Sequence, residues 1–289
     1  MAFPDSRHTG SSLIGSIAFI GGGNMARSLI GGLIARGTPA ASIRVAEPIA
    51  ELRDALATDF GIAAYEHNAE AVRGARAWVL AVKPQVMRAV CQALAAQAQA
   101  CNPLVVSIAA GITTAQLERW LGGPDPAGAP AVVRCMPNTP ALLGAGVTGL
   151  YANAQVDSGG RAGADTLLAA GGVTVWLHDE ARMDAVTAVS GSGPAYVFLL
   201  AEAMAAAARA EGLPDDAASA LVLQTILGAA RMLAESDAPP AELRRRVTSP
   251  GGTTHAAIET FEAGGLHDLV ARAIRAATER GRQLSAAND

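Results

Sequence analysis

A chain of 289 residues that is 51% hydrophobic and 17% charged can bury one large core or two ordinary ones, which excludes a disordered, low-complexity polymer. Its net charge of -4 excludes the basic footprint of a nucleic-acid or anionic-membrane binder. Cys91, Cys101 and Cys135 have no metal-ligand spacing, so they read as reduced thiols of a cytoplasmic protein and no metal is expected.

The first twelve residues, MAFPDSRHTGSS, have no apolar core of the kind a secretion signal carries, and residues 1–14 read as a disordered leader. No stretch supplies the roughly 18 to 20 uncharged apolar residues of a membrane span, so no membrane partner is expected. The first structured stretch is Ser16-Ile-Ala-Phe-Ile-Gly-Gly-Gly-Asn-Met-Ala26: an apolar strand, a glycine turn, then a helix from about Asn24. Within it Gly21-x-Gly23-x-x-Ala26 fits the fingerprint of a dinucleotide fold. Gly21 permits the tight turn, Gly23 admits a pyrophosphate, and small Ala26 lets helix pack on strand. The N–H groups and dipole at the helix start complete the anion site, with Gly22, Asn24 and Met25 in the same surface.

A second strand over 42–47 ends in Glu47, where an acid would bind a ribose 2′-hydroxyl and favour NADH. Arg44, Arg53 or the turn backbone would reverse that preference, so NADPH and NADH both stay open. A helix over 51–60 closes at Gly61, a short extended piece follows, and Asn68 is expected to N-cap a helix over 69–73. The continuous apolar run 77–82 suits a parallel strand covered on both faces. Its carboxyl end, Ala81-Val82-Lys83-Pro84, is a candidate cofactor wall. Then come a helix over 86–100, a strand over 104–108, a helix to Leu121 and a loop over 122–130. Strands over 132–136 and 146–151, a helix over 159–170 and a strand over 173–176 complete the alternation. The expected fold class is α/β: a Rossmann-type doubly wound parallel sheet over 15–177.

From Asp179 the strands disappear, and helices are expected over 183–211, 215–236, 240–247, 255–262 and 266–285. Residues 178–289 thus read as an all-α domain. Its helix 215–236 is apolar on nearly every face (Leu221, Val222, Leu223, Ile226, Leu227), so it must be buried, in part against a second subunit. Two glycine-rich segments stand out. Ser190-Gly-Ser-Gly-Pro-Ala-Tyr196 interrupts one long helix and suits either a packing kink or a ligand-facing turn. Val247-Thr-Ser-Pro-Gly-Gly-Thr-Thr254 is a hydroxyl-rich loop opening into a helix, a geometry that receives a small carboxylate or phosphate.

Six segments, in this order, resemble the pyrroline-5-carboxylate reductase family: 19–26, 81–84, 107–113, 134–140, 188–196 and 247–254. The last, followed by Ala257-Ile-Glu259, is the most specific. The resemblance implies NAD(P)H-dependent reduction of the cyclic imine Δ1-pyrroline-5-carboxylate to L-proline, and dimers assembled into decamers. It further implies that backbone N–H groups of the loop Ser249 to Gly252, with Gly251 and Thr253, hold the substrate carboxylate. Thr254 then stands near the imine nitrogen as the catalytic hydroxyl. Asn68 and Ala81 to Pro84 match cofactor contacts, and Met136, Asn138 and Thr139 line the nicotinamide side.

The residue inventory agrees, because a protonated imine is already electrophilic and hydride transfer needs positioning more than a strong acid or base. A β-hydroxyacid dehydrogenase shares the layout but needs a lysine after the glycine-rich kink. Here Lys83 is the only lysine, and Ala195, Tyr196, Val197 and Phe198 occupy that stretch. A cofactor-binding sensor without catalysis would have no use for the 248–254 loop.

Overall fold

The computed structural model describes residues 15–122 and 128–288, so the leader expected over 1–14 and part of the 122–130 loop lie outside the described residues. The chain divides into two units. One holds the described residues up to Ser192 together with Arg275 onward; the other is Gly193–Ile274.

The first unit is built on an eight-stranded sheet. Strand β1 (Ile17–Ile20) lies between β2 (Ile43–Ala46) and β4 (Ala77–Leu80), and β3 (Ala63–Tyr65) lies outside β2. Beyond β4 follow β5 (Leu104–Ser107), β6 (Ala131–Met136), β7 (Gly146–Ala152) and β8 (Gly172–Trp176). Every residue of β1 and β4 is buried, which is why both are unbroken apolar runs. One core cluster joins Phe19, Leu29, Leu33, Val45 and Val79, and a second joins Ile20, Trp78, Met87, Leu94 and Trp120. These clusters cover the sheet with α1 (Asn24–Ala35), α2 (Ala50–Phe60), α3 (Asn68–Ala71), α4 (Pro84–Cys101), α5 (Thr114–Gly122) and α6 (Ser158–Leu168).

The sheet departs from the expected all-parallel form in one place. β6 and β7 pair antiparallel, with Met136 opposite Gly149, while β7 and β8 are parallel to each other. The connection over 137–145 is too short for the crossover of a dozen or more residues that a parallel pair requires. Two helix starts also move. Asn68 does not cap α3: it is the first helical residue, and His67 holds the cap position without a side-chain bond. Pro84 opens α4 at N1, where its fixed φ and missing N–H cost nothing, so the helix starts two residues before the expected 86.

The unit boundary falls at 192/193 rather than at the expected 177/178. Buried Arg134 on β6 explains this, because it is 3.2 Å from Glu180 and 3.4 Å from Asp184, which lies on α7 (Met183–Val186). Glu180 also accepts from Thr114 N and Oγ1, and Asp184 accepts from Ser285 Oγ. A π-helical turn, Thr187–Gly191, follows α7.

The second unit holds α8 (Gly193–Ala210), α9 (Asp215–Glu235), α10 (Pro240–Arg246), α11 (Thr253–Ala263) and α12 (Leu266–Ala287) as far as Ile274. Within the chain, α9 buries only Ala218 and Val222, while Leu221, Leu223, Leu227, Met232 and Leu233 are each more than half exposed. Phe198 and Leu199 of α8 are also about two-thirds exposed. By length and composition alone α9 is long and apolar enough to cross a membrane, the single such helix among the described residues, but Arg231 interrupts its apolar run, so the expectation that no uncharged span is present stands.

Candidate active site

The chain order 3-2-1-4 makes β1 and β4 neighbours whose connections leave in opposite directions along the sheet. A crevice for a ligand forms at the carboxyl ends of such a pair. The glycine turn after β1 and the Ala81-Val82-Lys83 turn after β4 both stand there. Gly21 has φ +98°, and a Cβ on it would lie 2.8 Å from Ala81 O, so glycine is required twice over. A Cβ on Gly22 would lie 2.4 Å from Leu56 Cδ1. Gly23 differs: its φ is an ordinary -66°, and a Cβ there would meet nothing within 4 Å. Packing does not demand that glycine, and the space it leaves open is where a pyrophosphate would approach. No side chain caps α1, whose first turn of Asn24, Met25 and Ala26 follows directly, so its N–H groups are available to an anion. These residues fit a dinucleotide.

Glu47 stands at the end of β2 as expected, but its carboxylate is engaged. One oxygen accepts from Gly22 N at 2.9 Å, the other from Ile49 N at 3.1 Å, and the residue is 6% exposed. The acid therefore braces the glycine turn. Both arginines weighed for a 2′-phosphate are bonded to main-chain carbonyls: Arg44 to Arg73 O, and Arg53 to Glu47 O and Pro48 O.

Met136 ends β6 half-buried, and Thr139 opens a 3-10 turn over Thr139–Leu143 on the surface. Asn138, also expected at the nicotinamide, has its amide spent elsewhere: Nδ2 donates to Ser190 O at 3.1 Å, and Oδ1 accepts from Val147 N at 3.0 Å. It is a strut. Cys135 beside Met136 is fully buried, and desolvation, with the Asp165 charge second, pushes its thiol well up, so it is no nucleophile.

In the helical unit, Gly251 has φ +69° and Gly252 N donates to Ser249 O at 3.0 Å, which closes the 249–252 loop on itself. The Gly252 N–H expected to face a carboxylate is therefore taken. The first helical bond of α11 is Ala256 N to Gly252 O, so the N–H groups of Thr253, Thr254 and His255 precede it, and no side chain caps them. His255 Nδ1 lies 3.4 Å from Glu259 Oε2. The free main-chain donors thus stand at Thr253 to His255, just past the loop Ser249 to Gly252 on which they were expected. The residues expected at the cofactor all belong to the sheet unit, and Ser249 to Thr254 belong to the helical unit.

Sequence reasoning missed the Arg134–Glu180–Asp184 cluster and the Met136–Gly191 contact, in which a Cβ on Gly191 would lie 2.6 Å from Met136 Cε. An arginine inside the apolar strand Val-Val-Arg-Cys-Met was the available signal for the first, since a buried charge requires partners.

Residues 180–284 match the family described as pyrroline-5-carboxylate reductase dimerisation, and residues 16–111 match that described as NADP oxidoreductase, coenzyme F420-dependent. A pyrroline-5-carboxylate reductase of Pseudomonas aeruginosa is 59% identical over 93% of this chain and 96% of its own length. That of Haemophilus influenzae is 42% identical over 93% and 97%. Among solved structures, one from Coxiella burnetii described as a pyrroline-5-carboxylate reductase superposes with TM-score 0.89 at 40% identity, covering 94% of this chain and 98% of that one. A Plasmodium falciparum pyrroline carboxylate reductase solved with NADP bound gives TM-score 0.81 at 28% identity, over 96% and 100%.

Proposed function

Because the chain belongs to the pyrroline-5-carboxylate reductase family, we propose that it reduces Δ1-pyrroline-5-carboxylate to L-proline with NADPH or NADH, the final step of proline biosynthesis. The near full-length likeness at 59% identity carries this reading. When bound, the nicotinamide supplies a hydride, which adds to the imine carbon as the C=N double bond becomes a C–N single bond and the nitrogen keeps or gains its proton. The chain's own contribution is positioning. Gly21, Gly22, Gly23 and the first turn of α1 hold the pyrophosphate. Ala81, Val82, Lys83 and Pro84 wall the crevice, with Asn68 beside it and Met136 and Thr139 toward the nicotinamide. The N–H groups of Thr253 and Thr254 at the start of α11 receive the substrate carboxylate, the turn of Ser249, Gly251 and Gly252 presents them, and the Thr254 hydroxyl accompanies the nitrogen.

The acting species is a cytoplasmic homodimer assembled into a decamer. Support comes from the apolar faces of α8 and α9 within the matched dimerisation region and from three cysteines that are all free thiols. The test is the loss of the reduced nicotinamide's absorbance on adding pyrroline-5-carboxylate, run in parallel with both cofactors; no turnover with either defeats the reading.

A further inference from the structure

The glycine-rich interruption Ser190–Tyr196 suited either a packing kink or a ligand-facing turn. The structure gives it a third role. Residues Thr187–Gly191 form a π-helical turn, with Ser192 N donating to Thr187 O at 2.8 Å, an i to i+5 bond. The α-helical donor to the Ser190 carbonyl would be residue 194, which is a proline and has no N–H. That orphaned carbonyl is taken by Asn138 Nδ2 at 3.1 Å. One residue on, Gly191 leaves a hollow that Met136 Cε fills so closely that a Cβ there would stand 2.6 Å away. On the other side of Met136, its β-sheet partner Gly149 is pressed by Val186 of α7, whose Cγ1 would lie 2.5 Å from a Cβ at that glycine. Two glycines, one proline and one amide converge on the end of β6.

We propose that the π-helical turn is a seat for Met136, and that Gly191 and Asn138 are positioning residues which set the nicotinamide wall through it. The proposal rests on the reading of Met136 as part of that wall. Gly191 acts by having no side chain, so that the thioether keeps one position. Asn138 acts by tying the turn's free carbonyl to the backbone two residues past Met136 and, through Oδ1, to Val147 N at the start of β7.

A double-substitution cycle on the intact enzyme tests this: Gly191→Ala, Met136→Val and the pair, each read by kcat, by KM for the reduced nicotinamide and by Tm. Gly191→Ala is expected to lower kcat about ten-fold in the native background, the scale of a sub-ångström misplacement. In the Met136→Val background, where no thioether tip is left to displace, the loss is expected to be less than about two-fold. The Tm cycle is expected to show the same non-additivity. An equal kcat loss in both backgrounds overturns the proposal, as does a Tm cycle that is strictly additive. Asn138→Asp, which keeps the acceptor for Val147 N but loses the donor to Ser190 O, is expected to lower kcat as Gly191→Ala does; native kcat there removes Asn138 from the seat. If the unsubstituted enzyme fails to reduce pyrroline-5-carboxylate, the functional reading falls, and the Met136–Gly191 seat is then decided by the Tm cycle alone.

Discussion

At the scale of single residues, the chemistry asks little acid–base strength and much placement. Replacing Thr254 with alanine is expected to lower kcat/KM by roughly ten-fold or more with cofactor affinity unchanged, the scale of one lost polar contact to the transition state. Steady-state kinetics with a separate cofactor titration would show it, and an unaltered kcat/KM would remove Thr254 from the mechanism. Glu47→Ala strips the acceptor from Gly22 N and Ile49 N at once. Affinity for NADPH and NADH should weaken together by about ten-fold, because the turn loosens for both. An effect confined to one of them, measured by nucleotide fluorescence titration, would instead make Glu47 a ribose contact. The thiols give a third check. Burial raises the Cys91 thiol to about 12 and holds Cys135 well above its usual value, whereas Cys101 is exposed. A disulfide reagent should therefore titrate one thiol per native chain and three after denaturation. The sequence announced where Glu47 and Asn138 stand but not that they reach Gly22 and Ser190, which lie 25 and 52 positions away, because no local pattern encodes such a bond.

At the scale of elements, strands covered on both faces were the most legible. Ile17–Ile20 and Ala77–Leu80 are unbroken apolar runs, Leu104–Ser107 is apolar up to its terminal serine, and the sequence placed the starts at 77 and 104 to the residue. The reversal at β7 was hidden, because an apolar alternation carries no direction and only the length of the preceding connection does. The π-helical turn was visible as glycines and a proline, yet its shape depends on Met136 and Asn138 from another element. The same holds for α7, which reads as the start of the helical domain but is tied by Arg134 into the sheet unit. Arg134→Met should cost on the order of 3–5 kcal/mol, because Glu180 and Asp184 keep their charge after losing a partner that is itself only 5% exposed. Denaturant unfolding would measure it, and a loss below about 1 kcal/mol would show that water or neighbours replace the guanidinium.

At the scale of the whole molecule, the helical unit is incomplete as a single chain. The exposed leucines of α9 and the Phe198–Leu199 edge of α8 form an apolar surface that a lone protomer would present to water. Gel filtration across a dilution series should show no stable monomer, and Tm should rise with protein concentration as mass action requires. A folded monomer with a concentration-independent Tm would refute the interface.

One further consequence lies in the order of synthesis. The sheet unit is not finished when Ser192 leaves the ribosome, because Ser285 reaches Asp184, Gln116 donates to Ser285 O, and Asn288 donates to Gly111 O. The whole of Gly193–Ile274 must be translated before those bonds can form. Until then a nascent chain carries an unfinished nucleotide domain and a bare apolar helix together, so the time for which both stay exposed is at least the time needed to translate the helical unit.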